Sequence, residues 1–269
     1  HVRSKSDQQV ICGLASVQDY AACEAPLREL AKLQDPPIEY VSDVWALRAS
    51  VDAFVNLGHL IGAEHLERFS AAAQAVFGKA IEPPKADEVY RPAEQRGNDT
   101  HSHWLRDGMM NTLLHMAVLH EQSEFVVPGT TPQDYVNGIV RGLPGLSRDH
   151  RLLVSLQDQM ALLAEAAPIP FLEALERLLE GDAMAIRPIF EEQKGLIGSH
   201  AYYYGVLWGL EVVAWDPQLL LRASVCLAKL AKIDPGGTVS NRPINSLRSI
   251  FLSWAPNTSA NAAQRTDHF

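Results

Sequence analysis

The sequence predicts an all-α fold built of stacked helical hairpins, and three observations carry that prediction. From Val51 onward, apolar residues recur at helical spacing almost without interruption. Next, a helix–proline–helix plan appears twice, over 152–166, 168–170 and 171–179, and again over 203–215, 216–217 and 218–233. Superposing Pro168 on Pro217 pairs Leu163 with Val212, Phe171 with Leu220, Ala174 with Ala223 and Leu178 with Leu227. The 49-residue offset is close to the ~40–47 residues of HEAT and armadillo units, so the expected architecture is a HEAT/armadillo-like α-solenoid. Finally, apolar residues make up 47% of the 269 and charged residues 20%, enough for a sizeable core, while β-prone runs are too few for an α/β class. One helical pair cannot bury both of its faces, so neighbours must stack.

The first fifty residues read differently. Ser16 is expected to cap a helix carrying Val17, Tyr20, Leu27 and Leu30, which Pro26 kinks or splits. Two β-prone runs, Ile38-Glu39-Tyr40-Val41 and Val44-Trp45-Ala46-Leu47, follow around Ser42-Asp43 and suggest a hairpin. A helix followed by a hairpin is how a winged-helix module ends, so residues 1–50 are read as a winged-helix-like lead-in and 51–269 as the repeat domain. The alternative is an irregular approach to the next helix. Five basic residues against seven acidic ones in this lead-in favour packing between domains over DNA reading.

The helical elements then follow in order. Residues 52–61 and 63–77 form a pair joined at Gly62 and closed by Gly78. Residues 79–99 are a polar, proline-bearing connection. A long helix carries Trp104, Leu105, Met109, Leu113, Met116 and His120. Thr131 caps the next helix, Pro132 occupies its first position, and it ends near Gly142. Residues 251–256 (Phe-Leu-Ser-Trp-Ala-Pro) echo 212–217, which suggests a third hairpin.

Composition bounds the function. The net charge of −9 argues against nucleic acid as main partner, and no apolar run is long enough for a membrane helix. Three cysteines at no metal-ligand spacing read as free thiols of a reducing, cytoplasmic compartment. The chain starts at His1 without an initiator methionine or signal pattern and is expected to be a piece of a longer polypeptide.

No catalytic motif is found. GxxxxGK[ST], GxGxxG and GxSxG are all absent, so no catalytic residue and no cofactor is expected. Ser199-His200 reads as a helix N-cap beside a histidine, not as a nucleophile and base. His101 and His103 are the weak alternative for a metal. His115 is about 18 Å further along the helix at roughly 1.5 Å per residue and sits in an apolar stripe as a core imidazole. Glu211, inside an apolar segment, needs a partner, and Arg222 is the candidate. Tyr202, Tyr203 and Tyr204 with Trp208 and Trp215 form an aromatic group divided between core and surface, from which one or two protein-binding anchors are expected. The loop 234–247, with Asn241, Arg242 and Asn245, either caps helices or recognises a partner at the rim of the solenoid. The partner-binding candidates are therefore Tyr202, Tyr203, Asn241, Arg242 and Asn245.

Several segments carry a resemblance: residues 45–54, Leu66-Glu67-Arg68-Phe69, residues 101–106, residues 203–215, and Ile233-Asp234-Pro235-Gly236-Gly237 with residues 241–247. Together they resemble the region following the ATPase in bacterial STAND-type P-loop NTPases of the antiviral Avs-like, NLR-like class. The resemblance covers most of residues 10–256 and rests on scattered apolar and loop signatures. It implies a helical-repeat sensor that binds a foreign, phage-derived protein and controls assembly of an ATPase held elsewhere in the parent chain. The P-loop, the Walker B acid and an effector domain are absent from these residues, and the family offers no catalytic residue to carry over. Two other readings stand beside this non-enzymatic binding module: a helical metal-dependent enzyme using the His101/His103 region, and a purely structural spacer.

Overall fold

A computed structural model describes residues 1–80, 101–195, 198–252 and 254–266. The protein is all-α with two short antiparallel hairpins, and it divides into two compact units: residues 1–78 with 101–142, and residues 143 onward. The lead-in at 1–50 is thus no separate body, because its first helix packs on a helix of the 63–77 segment. Apart from its first two residues, the connection expected at 79–99 lies outside the described residues.

In the first unit, α1 (Lys5–Ala15) and α2 (Tyr20–Leu30) precede the hairpin. The Ser16 assignment is corrected. Ser16 closes α1 in the left-handed region at φ 56°, while Ser4 caps α1 by accepting from Asp7 N and Asp19 caps α2 by accepting from Ala21 N, both at 3.2 Å. Pro26 sits inside α2 without dividing it. Strands β1 (Ile38–Val41) and β2 (Val44–Leu47) pair from Ile38↔Leu47 to Val41↔Val44. Ser42 and Asp43 take φ of 51° and 64° at the turn, the left-handed pair whose twist matches a two-residue hairpin. Tyr40 and Trp45 face each other across the strands with ring centroids 4.7 Å apart.

Four helices complete this unit: α3 (Ser50–Leu57), α4 (Ala63–Phe77), α5 (His103–Val118) and α6 (Pro132–Arg141). Ser102 caps α5 through Leu105 N, and Thr131 caps α6 through Asp134 N with Pro132 at the first position. Phe69, Phe77, Met110, Leu113, Met116, Phe125 and Val136 make the core. The Tyr135 hydroxyl donates to Leu66 O at 2.7 Å and ties α6 to α4, and burial pushes that phenol up to about 12. His115 is buried against Phe54, its ring centroid 5.7 Å away, and burial lowers its pKa, which favours the neutral imidazole. That agrees with its reading as a core residue.

The second unit holds the repeat. The helix expected over 152–166 is broken into α7 (His150–Ser155), a 3₁₀ turn (Gln157–Gln159) and α8 (Met160–Ala166). Then come α9 (Pro168–Leu178), a second hairpin of β3 (Gln193–Gly195) and β4 (Gly198–His200), α10 (Tyr204–Val213), α11 (Leu220–Ile233) and α12 (Pro243–Ile250). The α8–α9 hairpin stacks on the α10–α11 hairpin, first helix on first and second on second, since α10 packs on α8 and α11 on α9. That is the pairing a repeat requires. The third echo falls after α12, whose end Phe251 caps, and beyond Trp254-Ala255-Pro256 one further short helix follows, α13 (Ala262–Thr266).

Two glycines set how closely the hairpins approach. A Cβ on Gly205 would lie 2.4 Å from Gln157 O, and one on Gly209 would lie 2.8 Å from Phe171 Cζ. Spaced four apart, both fall on the same side of α10 and let its backbone settle against the 3₁₀ turn and against α8. Around them Val206, Leu207, Leu210, Val213, Leu163, Ala164, Phe171, Leu175 and Leu227 are buried.

Candidate functional site

Three of the five partner-binding candidates converge, in the second unit, on a polar knot that holds the 234–242 loop. Arg242 is 9% exposed and uses its guanidinium in three directions. Nη2 donates to Glu192 Oε1, Nη1 to Asp234 Oδ1 at 3.0 Å, and Nε to Val239 O at 2.9 Å. Its Cζ also lies 5.5 Å from the centroid of the Tyr203 ring. The Tyr203 hydroxyl donates to Asn241 O at 2.8 Å, and the neighbouring Asn245 Nδ2 donates to Ser240 O at 2.9 Å.

Glu192, just before β3, receives the loop's other donors. Its Oε2 accepts from Thr238 Oγ1 at 2.7 Å and Thr238 N at 2.9 Å, and its Oε1 accepts from Val239 N at 3.2 Å. The Thr238 bonds first, with Val239 N and the Arg242 charge adding to them, hold the Glu192 carboxyl down at about 2. Because the folded pKa lies below the ordinary 4.5, the stabilisation is complete above the unfolded value and is lost as pH falls towards 2. Thermal melts from pH 7 to pH 3 should therefore show a steeper acid-side loss for the wild type than for Glu192→Gln. Equal slopes would deny Glu192 this role.

A guanidinium satisfied on three sides has no fork left for an anionic ligand. Tyr202 is 6% exposed and Tyr203 is fully buried. The expectation that Tyr202, Tyr203 and Arg242 face a partner is corrected accordingly: burial takes both rings, and two carboxylates take the guanidinium. Asn245 alone of the five is exposed, with Asn241 half-buried. These bonds hold the loop that carries the chain from α11 into α12.

The exposed side chains are other members of the aromatic group. Trp208 is 50% exposed and Trp215 60%, while Tyr204 stacks on Trp208 with centroids 6.3 Å apart. Positions 204, 208, 211 and 215 follow a 3.6-residue period and mark one stripe along α10 and its exit, on the side away from the buried Val206, Leu210 and Val213. Leu221 and Val225, four apart on α11, are exposed as well. The sequence divides the aromatic group correctly into core and surface but places the division on the wrong members.

Glu211 is half-buried, and Arg222 does not pair with it. Arg222 instead forks onto Glu176 of α9, Nε to Oε1 at 2.7 Å and Nη2 to Oε2 at 2.8 Å. The ion pair between stacked hairpins exists, but its acid comes from the second helix of the preceding repeat, because α11 lies on α9. Both side chains remain about a third exposed, so the contribution is small, of order 1 kcal/mol or less.

His101 and His103 do not gather into a ligand set. His101 Nδ1 is 3.9 Å from the buried Asp7 Oδ1, whereas His103 is exposed with its ring centroid 4.3 Å from that of Trp104. Asp7 accepts from Ser102 N at 3.0 Å and from Ser102 Oγ, which docks the start of α5 on α1. Among the described residues, no group of three His, Cys, Asp or Glu side chains is placed to hold a metal ion. Ser199 and His200 lie in β4, so Ser199 does not cap α10; Tyr203 stands at that cap and makes no side-chain capping bond. No described helix is long and apolar enough to cross a membrane. Comparison with family models, curated proteins and solved structures returns no match.

Proposed function

We propose that this chain is a non-enzymatic protein-binding module that engages its partner through the open stripe of α10. The observation that carries this reading is the exposure of Trp208 on α10 and of Trp215 just past its end, on the side away from the buried Val206, Leu210 and Val213. An exposed tryptophan forfeits the burial of a side chain whose area reaches roughly 200 Å², and tryptophan dominates the energetics of protein interfaces. The net charge of −9 favours a neutral or basic protein surface over a polyanion.

The immobilised chain is expected to retain a partner protein from host or phage-infected extract. The double substitution Trp208→Ala and Trp215→Ala should weaken the affinity for the purified partner at least about tenfold without lowering the Tm. Retention indifferent to both substitutions would refute the site, and tight DNA binding with a steep salt dependence would refute the class.

The resemblance to the sensor region of antiviral STAND-type NTPases supports a foreign protein as that partner and a cytoplasmic bacterial setting. A nucleotide-hydrolysis motif upstream in the parent reading frame is the result this assignment requires.

A further inference from the structure

Cys12 and Cys23 occupy mirror positions on two packed helices. Cys12 stands three residues before the last residue of α1, Cys23 three residues after the first residue of α2, and four residues connect the helices. In a short helical hairpin, positions equidistant from the turn face each other. Both thiols are half-buried. Burial first, and the neighbouring Cys12 side chain second, raise the Cys23 pKa. Tyr20, at the start of α2, lies close to both sulfurs. Cys12 also lines an open cleft of about 470 Å³ with Lys5, Gln8, Gln9 and Tyr20, so a small solute reaches its sulfur.

We propose that Cys12 and Cys23 form a reversible disulfide that staples α1 to α2, with a hydroperoxide as oxidant and a thiol as reductant. Cys12 is the better placed of the two to attack, because it lines the cleft and Cys23 does not. Its thiolate attacks one peroxide oxygen, the O–O bond breaks, hydroxide leaves, and Cys12 becomes a sulfenic acid. Cys23 then attacks the Cys12 sulfur, the S–O bond breaks, and water leaves with the Cys23 proton. Two thiols lose two electrons in total and the peroxide gains them. A thiol reductant reverses the change by exchange. Because α1 also packs on α4, the bond stiffens this part of the first unit.

The test uses the full 269-residue chain. The protein is reduced, treated with a slight excess of hydrogen peroxide, denatured, alkylated and weighed intact. The expected product is a monomer about 2 Da lighter, before the alkyl groups are counted, that takes up one alkyl group in place of three. Cys226 is the internal control, since it is buried and its thiol is pushed up to about 12. Dithiothreitol should restore all three alkylation sites. Cys23→Ser should halt the sequence at a Cys12 sulfenic acid trapped by dimedone, and Cys12→Ser should abolish the mass loss. Three alkylated thiols after treatment, covalent dimers, or oxygen addition in place of the 2 Da loss would each overturn the proposal.

Discussion

Replacing Gly205 by valine is expected to destabilise the protein by about 3 kcal/mol, read from chemical denaturation followed by tryptophan fluorescence. Helix propensity alone points the other way, because valine is a better helix former than glycine by several tenths of a kcal/mol. Sterics decide the sign. The first added carbon would lie 2.4 Å from Gln157 O and 2.8 Å from Gln157 Cα. Both are main-chain atoms, so no rotamer change relieves the overlap, and α10 must lift from the turn it rests on. Lifting it also withdraws Gly209 from Phe171 and Ala164, which opens the seam between the stacked hairpins. Gly209→Ala is the graded comparison: the nearest atom there is the tip of a side chain, so the loss should be smaller. A Gly205→Val protein as stable as the wild type would show that α10 and α8 do not meet as described.

The second large effect is expected for Arg242→Ala. Arg242 ties Glu192, Asp234 and the Val239 carbonyl together, and its ion-pair partners are only 13% and 11% exposed. Truncating it leaves two carboxylates near each other with little water to solvate them, whereas the intact triad offsets its own desolvation. The Tm should fall by roughly 5–10 °C, and proteolytic cleavage should appear within 234–242. Arg242→Lys should recover part of the loss, because an ammonium keeps the charge but cannot reproduce a three-way planar fork. Unchanged melting and unchanged proteolysis would mean that the loop is held by its backbone alone.

Much of this fold is legible in the residues. The Thr131-Pro132 start of α6 and the Ser42-Asp43 hairpin are local signals, each acting through backbone dihedrals or a missing N–H, and each appears where the sequence places it, whereas Pro168 opens α9 and Pro217 lies in the turn before α11. The misplacements have physical causes too. Ser16 satisfies the cap pattern, but the chain spends it closing α1 in a left-handed conformation, and Asp19 takes the capping position. The helix over 152–166 has an unbroken apolar pattern, yet it breaks at residues 157–159, where the backbone of Gln157 must receive Gly205.

The candidate site divides along the same line. By itself, the sequence determined an all-α protein with a twofold helical repeat, a net negative charge and an aromatic group at its centre, because period, proline placement and composition are local properties. Only the tertiary structure decided which aromatic residues were surface: Tyr202 and Tyr203 went into the core, Trp208 and Trp215 outward. It also gave Arg222 to Glu176 and Arg242 to Glu192 and Asp234. Those outcomes depend on which neighbours occupy each face of α10 and α11, and partners 46 and 50 residues away leave no trace in a local pattern.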